Sequence, residues 1–300
     1  MKSLCEILGC KYPIIQGAMG VICNPEFVAA VSEAGGFGTL ATAFAADVDT
    51  LHQQVKETQK LTHQPFGANL QVMNPLSQKF AELLAEAGVQ TVTISGGSPK
   101  ALFPILKSYG MNVIPVVPSV SVAVKSEALG VDAIIAEGSE SGGLQGFKGS
   151  STMVLVPSIV DAVEIPVIAA GGIGDSRGYK AALALGASGV QVGTRFIASK
   201  ECIAHGNYKA ALVEYSETDT SLLNLGGFQV RAMNTPLAKR ISEDPSLIQQ
   251  GFSEAGTEDS WVKGDLEAGI LPAGEVIGLI HNIPTAREII EEMIQGGKNG

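Results

Sequence analysis

The chain has 300 residues, of which 45% are hydrophobic and 17% charged, and its formal net charge is −10. This length and apolar content predict a globular protein with a sizeable core, folded as one large domain or two modest ones. The negative charge argues against nucleic acid or an anionic membrane as the main partner, and favours a protein that handles small molecules.

Short apolar segments alternate with amphipathic ones over the first 198 residues. The apolar segments, predicted as strands, are 12–19, 37–43, 65–72, 91–97, 112–119, 131–138, 165–173 and 188–197. The amphipathic segments, predicted as helices, are 25–36, 47–62, 76–89, 99–110, 122–130, 151–163 and 176–187. Strands of Val, Ile and Ala without alternation are typical of a parallel sheet that is buried on both faces. About eight such units are the number that a (β/α)8 TIM-type barrel needs, and we predict that α/β fold.

The competing arrangement is a doubly wound open sheet, whose dinucleotide signature GxGxxG is absent after the first predicted strand. Beyond residue 198 the alternation stops. Residues 200–215 have helical spacing, 216–262 are more polar, and 274–295 form an amphipathic pattern again. We therefore predict a barrel from 1–199 plus 263–300, with a small, mainly helical inserted subdomain at 200–262 that covers the substrate.

The four cysteines have no CxxC spacing, which indicates neither a zinc site nor a redox pair. Free thiols in a reducing cytoplasm are the expectation. The N-terminus has no basic segment followed by a long apolar run, so no signal peptide is predicted. No apolar run reaches the length of about 18 residues that a membrane span needs.

In a barrel the chemistry lies at the C-terminal ends of the strands, and the loops after strands seven and eight often hold a phosphate. Here those ends carry the small residues Gly171, Gly172 and Gly193, followed by Thr194. Glycines at such ends can serve only as tight turns, but two phosphate-type ends in adjacent positions favour phosphate binding. The ends of the first and third strands, Gly17-Ala18-Met19 and Gly67-Ala68-Asn69, suit a flat apolar ring whose edge is hydrogen-bonded. Flavin mononucleotide (FMN) would fit this set.

The segments "PIIQGAMG", "PFGANLQVMNP", "AEGSESGG", "AAGGIGDSRGYKAALALGASGVQVGTRF" and "LPAGEVIGLI" resemble the nitronate monooxygenase family, and look most like its enoyl–acyl-carrier-protein reductase II branch. The resemblance is strongest over 111–209 and weakest over 216–262. It implies an FMN-binding TIM-type barrel with a smaller helical domain. The FMN contacts that it implies are Gly17, Ala18, Met19, Asn69, Glu137, Gly142, Gly143, Gly171, Gly172, Gln191, Gly193 and Thr194.

The sequence departs from the family pattern at Leu144. Relatives continue their glycine pair with a histidine that serves as acid, base or orienting group, and leucine cannot move a proton. Lys148 and Gln145 in the following loop are candidate substitutes, although a lysine at a loop tip is more often only solvated. No metal site is predicted.

Four further residues carry weaker expectations. His205 is more typical of a helix entry than of catalysis, and Cys23 of a buried inert thiol. Arg231, in a segment that matches the family, is expected to contact a substrate or brace the lid. Glu275 stands where the family more often has glutamine, which would place a carboxylate close to the flavin ring.

Three functional readings remain open. The first is an FMN-dependent oxidoreductase that uses NAD(P)H to reduce an activated C=C bond such as an enoyl thioester, with acyl carrier protein as a partner. The second is a nitronate monooxygenase that oxidises alkyl nitronates with dioxygen. The third is a flavin-binding module without turnover, for which Leu144 is the only support. The family resemblance also makes a homodimer and a cytoplasmic location the expectation.

Overall fold

Eight parallel strands curve around one axis and form the predicted TIM-type barrel. The computed structural model describes residues 2–146, 149–224, 227–251 and 253–296. The strands are β1 Ile14–Gln16, β2 Gly38–Ala41, β3 Phe66–Gln71, β4 Thr91–Ser95, β5 Asn112–Val117, β6 Ile134–Glu137, β7 Gly143–Gln145, β8 Val167–Ala170, β9 Gly189–Val192, β10 Thr220–Asn224 and β11 Gln229–Met233. The barrel order is β1-β9-β8-β6-β5-β4-β3-β2. Main-chain bonds of 2.9 Å from Gln16 N to Phe37 O and from Phe37 N to Ile14 O join its two ends.

The helices are α1 Leu4–Leu8, α2 Pro25–Glu33, α3 Val48–Leu61, α4 Ser77–Glu86, α5 Phe103–Ser108, α6 Val120–Leu129, α7 Thr152–Val160, α8 Ser176–Ala184, α9 Thr194–Ile197, α10 Gly206–Glu214, α11 Pro236–Glu243, α12 Ile248–Gly251, α13 Glu254–Trp261 and α14 Ala286–Gln295. Helices α2 to α8 connect the barrel strands on the outside, while α1 precedes the first strand and α9 to α14 follow the last one. Strand residues point alternately to the helices and to the barrel axis. On the axis Ile15, Phe37, Ile114, Ile135 and Ile168 form a buried cluster, which α1 covers at the N-terminal end of the barrel. Because α1 closes this end, a ligand would enter the barrel at the opposite end, where the strands have their C-termini.

Three predicted elements were wrong in extent. The eighth strand ends at Val192, not at 197, because the chain turns at Gly193 (φ −106°, ψ −82°) and continues as the single helical turn α9. The predicted helix 200–215 begins only at Gly206. The predicted helix 274–295 is broken into a 3-10 turn at Glu275–Leu279 and α14, with Pro284 between them. Periodicity alone did not show these breaks, because short apolar runs fit a strand and a helix equally.

The segment 200–262 contains helices α10 to α13, as its composition indicated, and also a hairpin that the sequence analysis did not predict. Strands β10 and β11 of this hairpin pair antiparallel, and β11 pairs on its other side with β7 from the loop after β6. We call this three-stranded sheet the cap sheet. Its apolar side packs on Leu237, Ala238 and Ile241 of α11. Within the described residues, no helix is long and apolar enough to cross a bilayer.

Close packing at the barrel seam yields a prediction. A Cβ added to Gly189, the first residue of β9, would lie 2.5 Å from Pro13 O and 2.6 Å from a Leu4 methyl. Gly189→Ala is therefore expected to lower the free energy of unfolding by about 1–3 kcal/mol, since backbone must shift to relieve the overlap. Urea denaturation measures it.

Gly206→Ala is the matched control, because a Cβ at the first position of α10 meets nothing within 4 Å. Alanine is favoured over glycine in helices by up to about 1 kcal/mol, so this variant should be as stable as the parent or slightly more so. Equal stabilities of the two alanine variants would contradict the packing described at the seam.

Candidate active site

A cavity of about 940 Å³ lies at the C-terminal ends of the barrel strands. The ends of the barrel strands form its floor, and the cap sheet with Tyr208 and Trp261 forms its roof. All twelve positions that the sequence analysis assigned to the cofactor lie on its wall: Gly17, Ala18, Met19, Asn69, Glu137, Gly142, Gly143, Gly171, Gly172, Gln191, Gly193 and Thr194. The structure thus brings them together, and their individual contacts with FMN remain predictions.

The predicted phosphate end of the cavity is built from main chain. Gly171 and Gly172 both have positive φ, 104° and 72°, a conformation that side chains with a Cβ rarely adopt. The Thr152 hydroxyl donates to Gly171 O at 3.0 Å and holds this turn from the neighbouring loop. On the adjacent strand end, the Thr194 hydroxyl accepts a bond from Gly274 N at 3.0 Å, which leaves its proton free to be donated into the cavity.

Amide side chains line the floor. Asn69 Nδ2 donates to Thr93 Oγ1 and Asn69 Oδ1 accepts from Ser95 Oγ, both at 3.0 Å. This fixes the amide orientation and leaves one N–H for a ligand. Gln191 has no hydrogen-bonded side-chain partner among the described residues and faces the same space. A heteroaromatic edge with donors and acceptors would satisfy both amides.

Glu137 ends β6 and extends the inward-facing row of Ala133 and Ile135 up to the cavity. Burial raises the pKa of the Glu137 carboxyl to about 7, and a hydrogen bond with Ser141 partly opposes this shift. The carboxyl therefore changes its protonation near neutral pH. Its neighbour Glu140 behaves differently, because its two oxygens share the N–H of Thr152 at the start of α7, at 3.0 and 2.9 Å.

Comparisons with known proteins agree on one family. A model of the nitronate monooxygenase family matches residues 1–86 and 73–296. A probable nitronate monooxygenase of Staphylococcus saprophyticus is 32% identical, over 96% of this chain and 95% of that protein. The chain belongs to the nitronate monooxygenase family.

Two further relatives extend this result. FabK from Thermotoga maritima is 38% identical and superposes with a TM-score of 0.91, over 98% of this chain and 96% of that one. A Rhodococcus jostii protein named (3aS,4S,5R,7aS)-5-hydroxy-7a-methyl-1-oxo-octahydro-1H-indene-4-carboxyl-CoA dehydrogenase is 30% identical, over 97% of this chain and 94% of that protein. At the level of the family, the protein is an FMN-dependent oxidoreductase.

The cavity of this nitronate monooxygenase family member fits FMN. Its volume of about 940 Å³ lies at the upper end of the range of about 300–1,000 Å³ for small-molecule sites, so a second ligand has room beside a flavin. The remaining N–H of Asn69 and the amide of Gln191 lie on the same wall as the backbone turn at Gly171 and Gly172. Lys125 is the one lysine or arginine among the described residues of the wall, so a phosphate would be held mainly by backbone N–H groups and hydroxyls.

Leu144 occupies a defined place in this family member. It is the middle residue of β7, opposite Val230 in the cap sheet, and its side chain packs against the apolar cluster of the cap while it also lines the cavity. Gln145, one candidate substitute, donates through Nε2 to Ser139 O at 3.1 Å and to Ser141, so it braces the loop. Lys148, the other candidate, lies outside the described residues.

The four residues with weaker expectations lie outside the cavity wall. His205 is the N-cap of α10, where its Nδ1 accepts from Asn207 N at 3.1 Å. Cys23 is buried outside the cavity wall, and burial raises the pKa of its thiol to about 12. Arg231 braces the cap and does not line the cavity. The carboxylate of Glu275 pairs with Arg231 at 3.0 Å and is not part of the cavity wall, and its distance from the flavin ring stays a prediction.

The sequence analysis missed the role of Glu140 and the aromatic roof. Phe44, Tyr208 and Trp261 line the cavity, and the Phe44 and Trp261 rings meet edge to face with centroids 6.3 Å apart. In the sequence, only the aromatic character of these three residues pointed to such a role, because the segments around them have no clear periodic pattern. Among the described residues, no group of His, Cys, Asp and Glu is arranged to hold a metal ion.

The Glu137 carboxyl gives a stability prediction. A folded-state pKa near 7, above the ordinary 4.5, means that the folded protein binds this proton more tightly than the unfolded chain. The protonated Glu137 carboxyl therefore contributes to the free energy of unfolding below pH 4.5, and this contribution is lost as the pH rises through 7. Glu137→Gln should therefore raise the thermal midpoint at pH 8 more than at pH 5, by roughly 2–4 °C for each kcal/mol relieved. Calorimetry at both pH values checks this, and an equal effect at the two would contradict it.

Proposed function

We propose that this protein reduces an activated C=C bond of an acyl thioester, with NAD(P)H as the electron donor and FMN as the bound carrier. The observation that carries the proposal is a set of apolar side chains in the cavity wall, which we call the apolar lobe. Leu144 lies in the wall together with Val116, Pro118, Leu129 and Phe228. Such a wall suits an acyl group, whereas a small anionic nitronate would gain little from it.

The names of relatives support the same chemistry. FabK, an enoyl–acyl-carrier-protein reductase II, and the Rhodococcus carboxyl-CoA dehydrogenase are both named for redox reactions, and both names point to acyl thioesters. We propose that the substrate of this protein is likewise an acyl thioester, carried by CoA or by acyl carrier protein. Whether the donor is NADH or NADPH is left to experiment.

When bound, FMN supplies a two-electron relay between a nicotinamide and a double bond. The chain's own residues would do the rest. Asn69 and Gln191 would orient the ring by its edge, and the turn at Gly171 and Gly172 with the Thr194 hydroxyl would hold the phosphate. The roof formed by Tyr208, Trp261 and the cap sheet would exclude water from the reacting atoms.

The proposal predicts two separable half-reactions. The purified protein should be yellow, and its flavin absorption should bleach when NADH or NADPH is added without oxygen. Crotonyl-CoA, a short enoyl thioester, should then restore the colour and yield butyryl-CoA in an amount equal to the flavin. Stopped-flow absorbance and mass spectrometry measure these events.

The control replaces crotonyl-CoA by butyryl-CoA, which has no double bond to reduce and should leave the flavin bleached. A flavin that does not bleach with either nicotinamide would contradict the reductase. Rapid oxygen consumption with an alkyl nitronate, in place of enoyl reduction, would identify a nitronate monooxygenase. A protein that binds FMN but shows neither reaction would be the flavin-binding module without turnover, and a protein with no affinity for FMN would contradict the reductase and the monooxygenase alike.

A further inference from the structure

The reduction of a C=C bond adds a hydride to one carbon and a proton to the other, so the cavity needs an acid. Leu144 cannot serve, although relatives place a histidine at this point of the pattern. Among the described residues of the wall, four side chains can exchange a proton: Lys125, Glu137, Glu140 and Tyr208.

Three of the four are unsuited to this task. Tyr208 donates its hydroxyl proton to Pro272 O at 2.6 Å, and burial raises its pKa well above the usual 10. Glu140 is held as an acceptor by Thr152 N, which lies 3.0 and 2.9 Å from its two oxygens. Lys125 is exposed on α6 at the edge of the apolar lobe. Glu137 continues the inward-facing row of Ala133 and Ile135 into the wall, and its carboxyl accepts no backbone hydrogen bond among the described residues.

A short hydrogen-bonded chain links Glu137 to the position of the missing histidine. Gln145, next to Leu144 on β7, donates through Nε2 to Ser141 Oγ at 3.1 Å. Ser141 in turn lies beside the Glu137 carboxyl, where a hydrogen bond between the two side chains partly opposes the rise in the pKa of that carboxyl. Ser141 lies two residues before β7, the strand that carries Leu144 into the cavity.

We propose that Glu137 is the general acid of this cavity and gives the acyl thioester the proton that Leu144 cannot supply. The inference rests on the proposed function. In this step the O–H bond of Glu137 breaks, a C–H bond forms at the carbon next to the thioester carbonyl, and the carboxylate remains. The hydride, with both electrons, would be supplied by NAD(P)H through the bound FMN, and water would return the proton to Glu137.

The surroundings support a carboxyl that is protonated at neutral pH. Burial raises its pKa to about 7, close to the value at which a general acid works best at that pH. The charged groups nearby have other partners. Glu140 accepts from Thr152 N, and Arg231 donates to Ser139 O and pairs with Glu275. Lys125 is exposed to solvent. The neighbouring strands contribute the uncharged Val116 and Ala170 to the wall.

The half-reactions of the FMN-loaded protein provide the test. At equal FMN occupancy, Glu137→Gln should slow the recovery of the flavin with crotonyl-CoA by about 100-fold or more relative to its bleaching by NAD(P)H, the size of a general-acid effect. In the wild type, the recovery rate should fall as the pH rises above about 7 and should approach a tenfold decrease for each pH unit. This decrease should be absent in Glu137→Gln. Glu137→Asp should restore part of the rate.

Glu140→Gln is the matched control, a second acid of the same loop that is replaced by its amide. It should weaken the start of α7 but retain the fall of the rate above pH 7. If Glu137→Gln reoxidises with crotonyl-CoA at the wild-type rate, or retains the alkaline fall, the inference is overturned.

A second measurement separates this inference from the proposed function. Infrared titration of the FMN-loaded protein, without any substrate, should show the band of a protonated carboxyl that is lost with a midpoint near pH 7 and is absent from Glu137→Gln. If that band is found but no enoyl thioester is reduced, the proposed function is wrong. If reduction occurs while Glu137 is ionised throughout pH 5–8, another group is the acid.

Discussion

The pairing of β7 with β11 is the constraint on which the site depends. It joins the loop after β6 of the barrel to the hairpin of the 200–262 segment, with Leu144 opposite Val230 and Gly143 opposite Arg231. The Arg231 guanidinium reinforces the junction, since its Nε donates to Ser139 O at 2.9 Å and its Nη1 pairs with Glu275 at 3.0 Å. The roof of the cavity and the wall that carries Glu137 are therefore held as one unit.

The same constraint explains the chemical character of the cavity. A leucine on β7 can serve both the apolar cluster of the cap and the apolar lobe of the cavity, which a charged histidine could not do without loss. The acidic protein provides almost no positive charge to its wall, and the glycine turns supply backbone N–H groups instead. The wall is thus formed mainly by main chain and uncharged side chains, and Glu137 is the acid that we propose for proton transfer.

Much of this arrangement could be predicted from the sequence, because parallel strands buried on both faces have a simple pattern and place their C-terminal ends together. All twelve assigned cofactor positions accordingly lie on one wall. The short β7 and the hairpin could not be predicted, since three to five residues with no flanking periodicity carry no register signal. The pairing of Glu275 with Arg231, and of Glu140 with the start of α7, depends on contacts between distant segments that local patterns do not encode.

A crystal structure of the protein grown with FMN would test the central claim most directly, namely that the strand ends and β7 together form one flavin site. The account predicts a phosphate bound by the backbone at Gly171 and Gly172 with the Thr194 hydroxyl, and a ring whose edge meets Asn69 and Gln191. It also predicts an unchanged pairing of Leu144 with Val230. A flavin bound away from these residues, or a β7 that leaves the cap sheet when the flavin binds, would contradict it.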